Sequence, residues 1–250
     1  MRGDFEAYLN DSFRDENGNL DLAPLLALED EADMDVAVIM PNTQPLPQNS
    51  ELADAIRGNS RALGCALVHP TEPEPVAQVR LAAEAWGMRG IKLMPAVHNY
   101  NVDDEIVRPV VEAARDYGLI VSIHSGPNNC HPNRIGTVAS WVPETPVIMD
   151  HMGFPDDLES AITVAKANKN ISLGTTILRF HRRWGTDPDT VVPTEVKTAV
   201  DALGPEQIVF GSNLPEYRPI QVINALKRLE LGDDAEAQIF GGNLAGIYGL

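Results

Sequence analysis

Apolar residues in this chain come in short unbroken runs, each closed by a breaker and separated from the next by a stretch with helical spacing. The runs lie at 35–42 (DVAVIMPN), 62–70 (ALGCALVHP), 89–96 (RGIKLMPA), 119–126 (LIVSIHSG), 146–153 (PVIMDHMG), 171–176 (ISLGTT) and 208–215 (IVFGSNLP), and they predict seven strands. They lack polar alternation, which is the pattern of strands covered on both faces, as in a parallel sheet. Between them, residues 75–88, 103–118, 156–168 and 193–204 carry helical periodicity, with Gly118 and Gly204 as stops. Strands alternating with helices of this length give parallel βα units.

Two architectures accommodate such units. An open doubly wound sheet commonly carries a glycine-rich phosphate turn after its first strand, and no such turn is present. A (β/α)8 barrel has the right size for 250 residues taken as a single domain. Polar residues also bunch just past strand ends, at Asn42, His69, Lys92, His124, His151, Thr175 and Asn213, where a barrel places its catalytic loops. A closed barrel needs an eighth strand, and residues 20–33 offer none. The first strand therefore reads as missing or atypical, within an N-terminal segment (1–20) whose only weak candidate is FEAYL at 5–9. Either the chain begins after its first strand or another segment fills the gap.

Charge and cysteine content narrow the partners. With 19 Lys plus Arg against 36 Asp plus Glu, the formal net charge is −17, so a nucleic-acid backbone would be repelled. Cys65 and Cys130 have no metal-ligand spacing and form no disulfide framework, which suits a cytoplasmic protein. Residues 1–20 have no apolar core typical of a secretory signal, and no later run is long enough to span a bilayer. A small-molecule substrate is the expected partner. If the first strand were absent, its neighbours would expose their edges, and a homo-oligomer would be one way to cover them.

Two histidines carry the strongest chemical signal, His124 in SIHSG and His151 in MDHMG, each following an apolar strand. Imidazole at such a position can bind a divalent metal or move a proton near neutral pH. Alternation along a strand would point Asp150 away from His151 and give it a structural role. Lys92 offers an ammonium that could hold a substrate carboxylate or an oxyanion, or else form a buried ion pair across the barrel. Arg179 and Arg182, with His181 and Arg183, follow the seventh strand and could grip an anionic group, although a solvated helix face would look the same. His69 is either a pocket residue or the cap of the next turn, and His98 and His131 are pocket-edge residues at most.

The stretches LLALEDEADMDVAVIMPN, RGIKLMPA, LIVSIHSG, PVIMDHMGFP, NISLGTT, GPEQIVFGSNLP and GGNLAGIYGL, in this order from about Leu22 to Leu250, resemble the amidohydrolase-related family of metal-dependent hydrolases and decarboxylases. That resemblance implies a divalent metal, zinc or manganese, held by a first-strand His-x-His, a fifth-strand His and an eighth-strand Asp, with a sixth-strand His handling protons. His124 then matches the fifth-strand ligand and His151 the proton-handling residue. The chain departs from this pattern twice. No His-x-His occurs before residue 30, and Asn213 stands where the family has Asp. An amide is a poor metal ligand and cannot take a proton from a bound water as a carboxylate can. The expected activity is hydrolysis of a C–O or C–N bond, or decarboxylation, of a small carboxylated substrate, with His151 as acid/base, Lys92 and Asn213 beside it, and Arg179, Arg182 and His69 toward the substrate. The alternative is a degenerate barrel that binds without turnover.

Overall fold

The computed structural model describes residues 1–41, 48–179 and 185–250. Eight parallel strands follow one another around the sheet in sequence order: β1 Gly3–Leu9, β2 Val36–Pro41, β3 Ala62–Leu67, β4 Gly90–Leu93, β5 Ile120–Ile123, β6 Val147–Met149, β7 Ile171–Gly174 and β8 Ile208–Val209. A helix lies in each connection, the first at Ala23–Asp30 and the seventh at Thr194–Leu203, with an eighth at Pro219–Lys227 after β8. The ring closes where Phe5 bridges Gly211 in parallel and the Phe5 N–H donates to the Phe210 carbonyl at 3.0 Å. This is a (β/α)8 barrel.

The first strand is present, so the expectation that it is missing is corrected. It is formed by residues that the pattern of polar positions disguises. β1 pairs Asp4 with Ala37 and Ala7 with Ile39, so Phe5 and Glu6 together oppose the single residue Val38. Glu6 has φ +70°, the left-handed region that a glutamate rarely adopts. This β-bulge resets the alternation: Phe5 packs in the barrel interior, Glu6 turns inward beside it, and Ala7 and Leu9 face the helices. With β1 in place and the ring closed, the open edges that would have called for a partner subunit do not exist among the described residues.

Elsewhere the period of two is regular. Val36, Val38 and Met40 point into the barrel, whereas Ala37 and Ile39 point to the helix layer, which explains why the run is apolar on both faces. The floor of the barrel is apolar: Leu244 and Tyr248, from the terminal helix Asn243–Tyr248, close it against Phe5, Val36 and Cys65. Two helices are shorter than their patterns predict, the one at 75–88 ending at Glu84 and the one at 103–118 starting late. Residues 103–107 are turns, and the helix starts at Arg108, where Pro109 sets its first turn. Among the described residues, no helix is long and apolar enough to cross a membrane.

Candidate active site

The polar residues gather at the opposite end, where the strands finish. A cavity of about 450 Å³ opens there, lined by Glu6, Tyr8, Asn10, Met94, His124, His151, Ile177, Asn213, Pro215 and Glu216. Four of these, Glu6, His151, Ile177 and Asn213, hold positive φ without being glycine, at +70°, +60°, +57° and +63°. Each such conformation costs about 1–3 kcal/mol, and such strain concentrates where side chains must be aimed.

His151 stands at the centre of the arrangement. β6 ends at Met149, and Asp150–Gly153 form a tight turn with left-handed backbone at His151 and Met152. Strand alternation therefore stops before residue 150, and Asp150 and His151 both reach the site; the expectation that they diverge is corrected. The His151 ring is bonded on both sides. Its Nδ1 lies 2.6 Å from Thr176 Oγ1 and 3.2 Å from the Thr176 carbonyl, and its Nε2 lies 2.9 Å from His124 Nδ1. A carbonyl can only accept, so this network assigns the proton to Nδ1 of His151. His151 Nε2 then accepts from His124 Nδ1–H, which leaves His124 Nε2 as a lone pair on the half-buried ring at the cavity wall. Burial, then the adjacent His151 and Lys92, hold the His124 pKa well below 6.5, so the imidazole is neutral at pH 7. Phe154 edges both rings, at 5.3 Å from His151 and 6.0 Å from His124.

Beneath the histidines lies a buried ion cluster. The Lys92 Nζ donates to Glu6 Oε1 at 2.6 Å and to Asp150 Oδ2, and all three side chains are buried. Tyr8 OH donates to the same Glu6 oxygen at 2.7 Å, and Ser122 Oγ donates to Asp150 Oδ1 at 2.9 Å. Glu6 Oε2 lies 3.9 Å from His151 Nδ1. Burial would raise the Glu6 pKa, but the Lys92 charge, the adjacent His151 and the hydrogen bonds from Lys92 and Tyr8 bring it down to about 2. Burial pulls Lys92 below its ordinary value, and Glu6 opposes that pull.

Glu6, Asp150 and His151 each offer a donor atom, all within 4.8 Å of one another, close enough to hold a metal ion. The charges and hydrogen bonds do not suit one. Both carboxylates already face the Lys92 ammonium, and both nitrogens of His151 are hydrogen-bonded. β1 carries no histidine and turns Glu6 and Tyr8 toward the cavity, and Asn213 donates its amide to Glu216 Oε2 at 3.0 Å. With Lys92 in place, these residues do not fit a divalent cation.

The structure thus brings together His124, His151 and Asn213 in the cavity wall, with Lys92 directly below. It leaves two others outside that wall. His69 stacks on His98 at 4.0 Å between ring centres, and its Nδ1 meets Thr71 Oγ1 at 3.0 Å. Arg179 is exposed, with its backbone N–H donating to Glu195 Oε1 at 2.9 Å and its guanidinium 3.8 Å from Oε2. Arg182, His181, Arg183 and Asn42 lie outside the described residues. His131 caps the helix Pro132–Trp141, accepting from Asn133 N–H at 3.2 Å. Sequence reasoning missed Glu6, Tyr8 and Asp150. The available signal was an acid set inside an apolar run, in GDFEAYL and in VIMD, where a strand buried on both faces has no solvent for it.

Comparison with known proteins places this geometry. A search of curated proteins finds no significant match. Solved structures resemble the chain over nearly its whole length at low identity. An uncharacterized TIM-barrel protein from Bordetella bronchiseptica is 18% identical, with a TM-score of 0.79 and 98% and 97% of the two chains covered. A probable 2-pyrone-4,6-dicarboxylic acid hydrolase from Acinetobacter baumannii, with citric acid bound, is 16% identical, with a TM-score of 0.74 and coverage of 100% and 99%. The 5-carboxyvanillate decarboxylase of Novosphingobium aromaticivorans, complexed with manganese and a nitrobenzoic acid, is 14% identical, with a TM-score of 0.71 and coverage of 100% and 96%. At these identities the likeness establishes the fold. The family model described as Amidohydrolase matches residues 8–250, from within β1 to the last residue, and the chain belongs to that family.

Proposed function

We propose that the chain is a hydrolase of small carboxylated molecules, cleaving a C–O or C–N bond beside a carbonyl, and that the His124–His151 pair moves the proton. The observation that carries this reading is the 2.9 Å contact between His151 Nε2 and His124 Nδ1. It aims a neutral imidazole lone pair into a cavity of substrate size. His124 Nε2 takes a proton from water as the oxygen attacks the carbonyl carbon. When the tetrahedral adduct collapses, the C–O or C–N bond breaks and the same proton passes to the leaving oxygen or nitrogen. His151, held by Thr176, accepts the His124 Nδ1–H and so fixes the tautomer and the aim of the His124 ring. Tyr8, Asn10 and Asn213 supply polar contacts around the substrate.

The carboxylated substrate class is supported by the names of the structural neighbours, a pyrone dicarboxylate hydrolase and a carboxyvanillate decarboxylase. The test is an assay of the purified chain against small carboxylated lactones, amides and hydroxybenzoates, following both bond cleavage and CO2 release. Turnover of a lactone or amide that disappears in His124→Asn, with the circular dichroism spectrum unchanged, is the expected result. CO2 release without cleavage would move the assignment to decarboxylation. Saturable binding with no turnover of any compound would favour the degenerate barrel.

A further inference from the structure

The ion cluster below the histidines has a composition that a metal site would share, apart from one residue. Glu6 and Asp150 place two carboxylates face to face in the barrel interior, with His151 beside them. Two buried negative charges at this separation need a cation between them. Here that cation comes from the chain itself, because Lys92 on β4 extends its Nζ to Glu6 Oε1 at 2.6 Å and to Asp150 Oδ2. Tyr8 and Ser122 take up further lone pairs of the same carboxylates. Glu6 reaches this point only because the bulge in β1 turns it inward at φ +70°.

We propose that the Lys92 ammonium is the resident cation of this site, standing between Glu6 and Asp150 where a divalent metal would otherwise be held. The native chain therefore binds no divalent ion there. A metal bound by these carboxylates would have to displace the ammonium or lie against it. Removing the ammonium charge leaves two acids whose charge and oxygen donors suit Mn2+. This inference is independent of the reaction the histidines perform, and its test reads binding rather than turnover.

The experiment titrates Mn2+ into chelator-treated wild-type chain, Lys92→Met and Lys92→Met with Glu6→Gln, by calorimetry and by the loss of the free-ion EPR signal. The wild type is expected to show no saturable site. Lys92→Met is expected to bind one Mn2+ per chain, on the order of a hundredfold or more tighter. Adding Glu6→Gln should abolish that binding. If Lys92→Met does not fold alone, recovery of its native circular dichroism on refolding with Mn2+ supports the proposal. Should it fold in neither condition, the wild-type titration decides. One Mn2+ bound per wild-type chain overturns the proposal, and so does a folded Lys92→Met that gains no affinity. Loss of turnover in His124→Asn with the Mn2+ titrations as expected would separate this result from the hydrolase reading.

Discussion

Asp4 and Glu6 are two residues apart on β1, equally buried, and they titrate in opposite directions. Asp4 faces outward to the helix layer, where it accepts from Ser212 N–H at 2.7 Å and Ser212 Oγ at 2.5 Å. Burial raises its pKa to about 7 despite those bonds. Its neighbour Glu29, buried in the helix Ala23–Asp30, is pushed up to about 10 by burial and by the Asp4 charge. Glu6 faces inward to Lys92 and is held down to about 2. Burial is the same for both acids of the strand. What separates them is a cation, present on the inner face and absent from the contacts of Asp4. The outer pair stays compact by keeping protons, while Glu6 keeps its charge and has an ammonium to hold.

The largest effect expected from breaking that contrast is on stability in Lys92→Met. Glu6 and Asp150 would lose the ammonium bonded to both, at a cost of about 3–5 kcal/mol in urea denaturation at neutral pH. A loss below ~1 kcal/mol would mean that Glu6 or Asp150 is already protonated. Next comes the catalytic pair: His124→Asn should lower kcat on an identified substrate by about 10²–10⁴ with little change in KM. Because the His124 pKa is held well below 6.5, the acid limb of kcat/KM in the native chain should also fall well below that value.

The outer acids predict a smaller effect that depends on pH. Their folded-state pKa values are raised, so their contribution is fully present below the ordinary carboxylate range and is lost as pH rises through about 7 for Asp4 and about 10 for Glu29. Glu6 works the other way: its contribution is present above 4.5 and is lost as pH falls toward about 2. Stability should therefore decline from about pH 5 to about pH 9, and Glu29→Gln should remove a few kcal/mol of that decline. An identical slope in the variant would contradict the assignment. Smallest is Ser122→Ala, which removes the hydroxyl bonded to Asp150 and should cost about 1.5–3 kcal/mol, measured as a shift in the urea midpoint.

The same contrast explains what could be read from the sequence. Runs such as DVAVIMPN and PVIMDHMG announce strands because both faces are apolar, and the strand-end positions of His124 and His151 follow directly from them. β1 hides because it carries acids on both faces, Asp4 outward and Glu6 inward, and because its bulge removes the period on which pattern reading depends. Asp150 was legible as a residue but not as a neighbour of His151, since the left-handed turn at 151–152 is a backbone property that alternation cannot anticipate. Lys92 read equally well as an anion holder or as half of an ion pair, and only the inward turn of Glu6 separates the two.

The most direct test of the opposite charges on one strand is a carboxyl 13C NMR titration of the native chain, with Glu6, Asp4 and Glu29 assigned through Gln and Asn variants. Glu6 is expected to stay ionised down to the acid limit of the folded state, Asp4 to titrate near 7, and Glu29 to stay protonated beyond it. A Glu6 carboxyl that takes up its proton in the neutral range would contradict this, because Lys92 would then not be the cation that holds the site together.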